Sequence, residues 1–338
     1  MTGSGRAGAM NPPEELLAFL KKEDKFLIVT HLNPDGDALG SAAALALALR
    51  QMGKDALLLC RDRVPEQYEF LPEQELFLTF EAARSLPLDL AQFKNLILVD
   101  CNEIRRTGME KSPLAGLTFT TTAVIDHHET ERTFGDIRWV VPPVAATGMM
   151  IHYLVRALGL TLTEAVAVNL YTAIVVDTGN FRYENTSAEV LAVAAALAGA
   201  GAQPHLINRA INETWSEGRF KLFTRMMSEL ELVDGIAISL VTRRLLAETG
   251  TTPDDTESFV SFPNVMRTVR MSILLREIDD RYYKVSLRSR GSVNVARIAE
   301  SFGGGGHKNA AGCTIEGDLD AVKAELLKKL EQTASSAV

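Results

Sequence analysis

Four apolar runs in this chain each end on aspartate or histidine. The runs at 26–29, 95–99, 122–125 and 173–176 lead, respectively, through Thr30 into His31-Leu32-Asn33-Pro34-Asp35-Gly36-Asp37, into Asp100, into Asp126-His127-His128, and into Asp177. A strand buried on both faces reads as a continuous apolar run, and parallel α/β sheets gather ligand groups beyond the carboxyl ends of their strands. The groups that follow these runs are therefore expected to converge on one crevice. Between them the pattern alternates: a helix at 38–52, a strand at 56–60, strands at 95–99 and 122–125, then helices at 145–158, 164–176 and 187–198. This predicts an α/β fold with a doubly wound, mostly parallel sheet. Asp177 is expected to end a helix rather than a strand.

With 338 residues the chain is long enough for two domains. The segment 13–205 is expected to form the catalytic domain. The segment 206–234, amphipathic and rich in Arg, Glu and Met with no strand signal, is expected to be a helical linker. From 235 to 335 the texture changes to short β-type runs at 236–242, 269–275 and 282–288 with a helix at 295–302, a smaller mixed α/β domain. The longest apolar stretches, 42–49 and 190–202, fall short of the roughly 20 residues that span a bilayer. No membrane segment is expected. Residues 1–12 lack the apolar core of a signal peptide, and Cys60, Cys101 and Cys313 fit neither a disulfide framework nor a zinc ribbon. Reduced, structural cysteines in a cytoplasmic protein are the expectation.

The net charge of -8 argues against a sequence-blind grip on long duplex DNA, which needs many basic contacts to phosphate. Charge is uneven, however. Between 258 and 315 nine basic residues face four acidic ones, a balance of +5 that leaves -13 for the remainder. A basic module beside an acidic one suits a small anionic substrate.

His31, Asp35 and Asp37 follow an H-x-x-x-D-x-D spacing in which Pro34 and Gly36 shape a tight turn. With Asp100, His127 and Asp177 the set becomes four aspartates and two histidines. Such oxygen-rich sets suit manganese or magnesium better than zinc. Two cations sharing a carboxylate would favour displacement at phosphorus, so the chemistry indicated is phosphoester hydrolysis. Taken alone, an Asp-Gly-Asp turn is loop punctuation and a histidine pair is a polar loop. Their shared position at element ends is what favours a site. His152 in an apolar helix and His205 after a proline are expected to pack or cap, and Met149, Met150, Met226 and Met227 to fill cores. The run Gly303, Gly304, Gly305, Gly306 reads either as a connector or, with His307, Lys308 and Arg288, as a phosphate cradle. Arg267, Arg270, Arg281 and Arg290 are expected to coat solvent-facing surfaces.

These residues resemble the DHH phosphoesterases, over almost the whole chain. His31-x-x-Pro34-Asp35-Gly36-Asp37, Val99-Asp100, Asp126-His127-His128 and Asp177-Thr178-Gly179 look like that family's four motifs in order. Ser286-Leu287-Arg288-Ser289, Phe302 with the glycine run and His307, and Ala310-Ala311-Gly312 resemble the DHH-associated substrate domain. Within the family the chain is most similar to the nanoRNase and pAp phosphatase branch, which cuts very short oligonucleotides and 3'-phosphoadenosine 5'-phosphate (pAp). The resemblance implies one manganese on His31, Asp35 and Asp100 and a second on Asp37, Asp100, His127 and Asp177, with magnesium as the alternative ion. It implies that His128 faces the scissile phosphate, that Asp126 orients the imidazoles, and that Arg288, Gly303, Gly304, Gly305, Gly306 and His307 bind substrate. Asn294 stands where relatives often carry Asp, and either residue can cap the helix at 295. A cyclic dinucleotide (c-di-AMP) or linear pApA phosphodiesterase is the rival reading, with a catalytically silent nucleotide sensor behind it. A homodimer is compatible with either.

Overall fold

Three of the four apolar runs are buried parallel strands, and the fourth is the last turn of a helix. The computed structural model describes residues 11–335 apart from 86, 88, 130–133, 214 and 292. It divides into two compact units, Met1–Thr214 and Trp215–Val338.

In the first unit, α1 (Glu14–Lys22) precedes β1 (Lys25–Val29), α2 (Gly36–Gln51), β2 (Asp55–Cys60), β3 (Phe77–Thr79), α3 (Phe80–Arg84), β4 (Asn95–Val99), β5 (Thr121–Asp126) and β6 (Ile137–Val140). Four helices follow: α4 (Thr147–Ala157), α5 (Glu164–Asp177), α6 (Ala188–Gly199) and α7 (Pro204–Asn212). The six strands are parallel in the order β3-β2-β1-β4-β5-β6. Strand order reverses between β1 and β4, the position at which open α/β sheets bind ligands. Alternate strand residues feed two cores. Phe26, Ile28, Ile97, Val99 and Ile125 pack with α2, α4 and α5, while Leu27, Val29, Leu96, Leu98 and Val124 pack under Phe80, Phe93 and Met109. Both faces of the sheet are thus dry, which explains why the strands read as unbroken apolar runs.

The alanine-rich α2 lies close against α4 and α5. A Cβ at Gly40 would stand 2.3 Å from the Asn169 carbonyl oxygen, and one at Gly148 would stand 2.5 Å from Ala173 Cβ. Only glycine allows either approach, and that approach brings the ends of three helices to the carboxyl edge of the sheet.

The second unit holds α8 (Glu217–Ser228), β7 (Glu231–Val233), β8 (Ile236–Val241), α9 (Arg243–Thr249), β9 (Met271–Glu277), β10 (Tyr282–Ser289), α10 (Val295–Glu300), β11 (Gly305–His307), β12 (Ala310–Glu316) and α11 (Leu319–Ser335). Its sheet runs β11-β12-β10-β9-β8-β7, antiparallel except for the parallel pair β8 and β9. Val295, Ile298, Val322 and Leu326 cover one face, and Leu222, Met226 and Phe259 pack in a separate cluster with Val241 and Leu274.

The segment 206–234, expected as one helical linker, instead contains most of α7, then α8 and the short strand β7, and the two helices belong to different units. β7 is an edge strand whose three residues are exposed, so its pairing with β8 leaves no apolar alternation to read. Cys60, Cys101 and Cys313 are buried free thiols, each pushed up to about 11 by burial. Among the described residues no single helix is long and apolar enough to cross a membrane.

Candidate metal centre

The first cluster follows β1 directly. Asp35 caps α2, its Oδ1 accepting from the N–H groups of Asp37 at 3.0 Å and Ala38 at 3.1 Å, so the turn that carries the cluster is also a helix start. Asp37 is then fully buried in the first turn. Asp100 follows β4 with φ 56, a left-handed conformation uncommon outside glycine and characteristic of functional sites. Asp126 ends β5, His127 and His128 follow it, and Asp177 is the final residue of α5.

These residues meet. Asp100 Oδ2 lies 3.5 Å from His31 Nε2, and Asp100 Oδ1 lies 3.6 Å from His127 Nε2 and 3.5 Å from His128 Nδ1. Asp177 Oδ2 and Asp37 Oδ2 stand 3.0 and 3.7 Å from His127 Nε2. Three sets of potential ligand atoms lie within 4.8 Å of one another: His31, Asp35, Asp100; Asp37, His127, Asp177; and Asp100, His127, His128. Each imidazole is oriented through its Nδ1, which for His31 and His127 is the nitrogen turned away from the cluster. His31 Nδ1 sits 2.8 Å from the Leu32 carbonyl, His127 Nδ1 3.0 Å from that of Val144, and His128 Nδ1 2.7 Å from Asp126 Oδ1.

The donor set fits divalent cations. His127 Nε2 is buried and makes no well-formed hydrogen bond, although Asp177 Oδ2 lies 3.0 Å away and Asp100 Oδ1 and Asp37 Oδ2 stand at 3.6 and 3.7 Å. A buried nitrogen that faces three carboxylates is suited to a shared cation. The electrostatics agree. Burial, with the Asp100 and Asp177 charges, pushes Asp35 up to about 6 and Asp37 well above the usual carboxylate range. Burial pulls His31 down, but Asp100 and Asp35 outweigh it and raise the imidazole to about 9. His127 is raised well above its ordinary value in the same way, against burial, by Asp177, Asp100 and Asp37. Asp100 is held below the carboxylate range because the three imidazoles overcome its burial. Such crowded carboxylates stay charged together only beside positive charge, and hard cations with oxygen ligands supply it.

Sequence reasoning missed the groups that hold the carboxylates. At the start of α4 the Thr147 N–H donates to Asp37 Oδ2 at 2.7 Å, the Gly148 N–H to Asp37 Oδ1 at 2.9 Å, and the Thr147 hydroxyl to Asp100 Oδ1 at 2.8 Å. Ser41, one turn beyond Asp37, donates to Asp37 Oδ1 at 2.8 Å. A Thr-Gly pair stands near the start of the helical pattern at 145, but it signals only a helix start and not its distant carboxylate partners. His152 is buried in α4 and His205 lies in the first turn of α7.

In the second unit Arg288 of β10 pairs with Ala310 of β12, and Ala310 pairs with His307 of β11. Paired residues share a sheet face, so Arg288 and His307 project from the same side, two strand spacings or about 10 Å apart. The glycine run is not a loop throughout. The Gly303 and Gly304 N–H groups donate to the Glu300 and Ala299 carbonyls, while Gly305 and Gly306 belong to β11. A Cβ at Gly304 would stand 2.2 Å from the Gly312 carbonyl oxygen, and one at Gly306 would stand 2.4 Å from that of Ala310. Close strand approach therefore accounts for these glycines, and since the Gly305 N–H faces Gly312 in the ladder, any anion contact through an N–H group falls to Gly306 on the open edge. Asn294 caps α10, its Oδ1 accepting from Ala296 N–H at 3.1 Å.

Residues 25–189 match the model of the DHH family, N-terminal domain, and residues 235–336 that of the DHHA1 domain. The chain is 35% identical over 318 residues to the bifunctional oligoribonuclease and PAP phosphatase NrnA of Thermus thermophilus, covering 93% of this chain and 92% of that protein. It is 26% identical to the protein of the same name from Bacillus subtilis, over 89% and 92% of the two chains. Among solved structures, an exopolyphosphatase-related protein from Bacteroides fragilis matches with a TM-score of 0.88 and 25% identity over 98% of both chains. RecJ from Thermus thermophilus, in complex with Mn2+, shares the fold with a TM-score of 0.51 and 18% identity, over 98% of this chain and 55% of that one.

Proposed function

The chain belongs to the DHH family, and from that premise we propose that it is a manganese-dependent phosphoesterase that hydrolyses very short oligonucleotides to 5'-mononucleotides and pAp to AMP. The observation that carries this reading is Asp100, whose two oxygens lie within 3.6 Å of three imidazoles at the β1–β4 switch point. The relatives named as oligoribonuclease and PAP phosphatase supply the substrate class.

His31, Asp35 and Asp100 would hold one ion, and Asp37, Asp100, His127 and Asp177 the other. Bound there, divalent cations lower the pKa of water and offset charge on the displaced oxygens. The chain's own residues do the rest. Thr147, Gly148 and Ser41 fix the Asp37 carboxylate by three donors, and Asp126 fixes the tilt of His128. His128 stabilises charge on the phosphate or gives its proton to the leaving 3' oxygen. Arg288 and His307, on one sheet face, receive the substrate's second phosphate and nucleoside, with Gly305 and Gly306 beside them. The net charge of -8 supports short substrates over long duplexes.

The test is to incubate the protein with Mn2+ and equal concentrations of pAp, a 5'-phosphorylated dinucleotide, c-di-AMP and pyrophosphate. Release of AMP from pAp and of mononucleotides from the dinucleotide is expected. Faster turnover of c-di-AMP or pyrophosphate, or no turnover of any, overturns the reading.

A further inference from the structure

The segment after Asp177 is strained and firmly tied. Gly179, Asn180 and Phe181 take φ values of 55, 60 and 61, three consecutive left-handed residues of which two carry a Cβ. Left-handed non-glycine backbone persists only where its surroundings enforce it, and it gathers at functional sites. Here the Thr178 carbonyl accepts from the N–H groups of both Arg182 and Tyr183 at 3.0 Å, and the Asn180 N–H donates to Val175 at 2.7 Å. Phe181 packs its ring against Tyr171, with centroids 5.9 Å apart, and Asn185 Nδ2 donates to the Asp177 carbonyl at 3.1 Å.

This turn sets Tyr183 against the backbone. A Cβ at Gly179 would fall 2.3 to 2.5 Å from three carbons of the Tyr183 ring, so the ring lies directly on Gly179, two residues beyond Asp177. Yet Tyr183 is 51% exposed, among the more exposed large hydrophobic residues of the chain. Asp177 is also more open than most of the cluster, its side chain 23% exposed against 11 to 13% for the three histidines and 2% or less for Asp37, Asp100 and Asp126. Asp177 is thus an open side of the cluster, and an aromatic ring backed by Gly179 follows it six residues along the chain.

We propose that Tyr183 is a stacking platform for the nucleobase of the nucleotide whose phosphate is held at the Asp/His cluster. The proposal rests on the phosphoesterase reading and adds a base subsite to it. A ring that already rests on Gly179 has one face backed and the other free to stack, and every base presents a π face, so the platform accepts all four bases. Without a base to cover it, the strained turn would do no more than expose an apolar ring to water.

The test uses the full chain with Mn2+ and compares pAp with the matching abasic sugar 3',5'-bisphosphate in the wild type, Tyr183→Ala and Tyr183→Phe. Stacking is worth about 1 to 3 kcal/mol per base, so the ratio of kcat/KM for pAp over the abasic compound should fall roughly 5- to 150-fold in Tyr183→Ala and recover in Tyr183→Phe. An unchanged ratio in Tyr183→Ala overturns the platform. If the wild type turns over neither compound, the phosphoesterase reading fails separately. Calorimetric binding of AMP against ribose 5-phosphate then decides: loss of the AMP preference in Tyr183→Ala supports the platform, and equal preference in both proteins refutes it.

Discussion

Thr147 donates its hydroxyl to Asp100 Oδ1 at 2.8 Å from the first residue of α4, joining a helix that follows β6 to the residue that follows β4. The same residue donates its N–H to Asp37. One threonine thus holds two carboxylates of the cluster, with the positive end of a helix behind it. Thr147→Val keeps the shape and the N–H but removes the hydroxyl, so Mn2+ affinity should fall about 10- to 100-fold, the usual effect of losing a group that orients a metal ligand. Thr147→Ser should restore most of it. Calorimetric titration of Mn2+ into the three proteins reads the effect, and equal affinities would show that the hydroxyl does not orient Asp100.

Gly40 and Gly148 are the contacts that let α2, α4 and α5 converge. A methyl at either position would overlap Asn169 or Ala173. Gly40→Ala should therefore destabilise the protein by about 1 to 3 kcal/mol, the range for overpacking a tight interior. Its clash is with backbone, which cannot rotate away. Urea unfolding measures it; a midpoint at the wild-type value would mean that the helices have slack.

The residues that gather at the Asp/His cluster were legible because each follows an apolar run, and burial on both sheet faces makes such runs unmistakable. Asp177 was placed at a helix end by periodicity alone, and α5 does end there. Thr147 and Gly148 were not legible. Nothing local distinguishes a Thr-Gly helix start that caps its own helix from one that reaches 110 residues back to Asp37. The glycine run misled in part for a similar reason: β11 is a strand only because β12 lies beside it, and three residues carry no alternation. Strands β3 and β6, of three and four residues, were lost to the same brevity.

His152 gives a pH dependence separate from the cation cluster. It is 2% exposed in α4, its Nδ1 has no partner, and burial, with Arg156 nearby, lowers its pKa to about 4 from 6.5. Above pH 6.5 the imidazole is neutral in both folded and unfolded chains and contributes no pH dependence. As pH falls from 6.5 toward 4 the unfolded chain takes up a proton that the folded chain refuses, so stability is lost across that window. His152→Leu should lack this loss and gain on the wild type as pH falls. Urea unfolding of both proteins at pH 7 and pH 5 checks the sign; a stability difference that is constant with pH would contradict it.

Arg288 shares a sheet face with His307 and belongs to the second unit, whereas the residues that would bind cations belong to the first. Arg288→Ala should raise KM for pAp about tenfold, the loss of one charge-assisted contact, and change kcat little. A fall in kcat at unchanged KM would move Arg288 from substrate binding to the chemistry.

The account stands or falls on Asp100 as the carboxylate shared by two cations. Asn keeps the size of Asp and tolerates the left-handed conformation at this position, so Asp100→Asn should fold normally. The direct measurement is the number of Mn2+ ions bound per chain at equilibrium, by calorimetry or dialysis, in the wild type and in Asp100→Asn. Two ions on the wild type and fewer than two on the variant at the same free Mn2+ are the predicted result. A wild type that binds fewer than two, or a variant that titrates identically to it, would contradict the account.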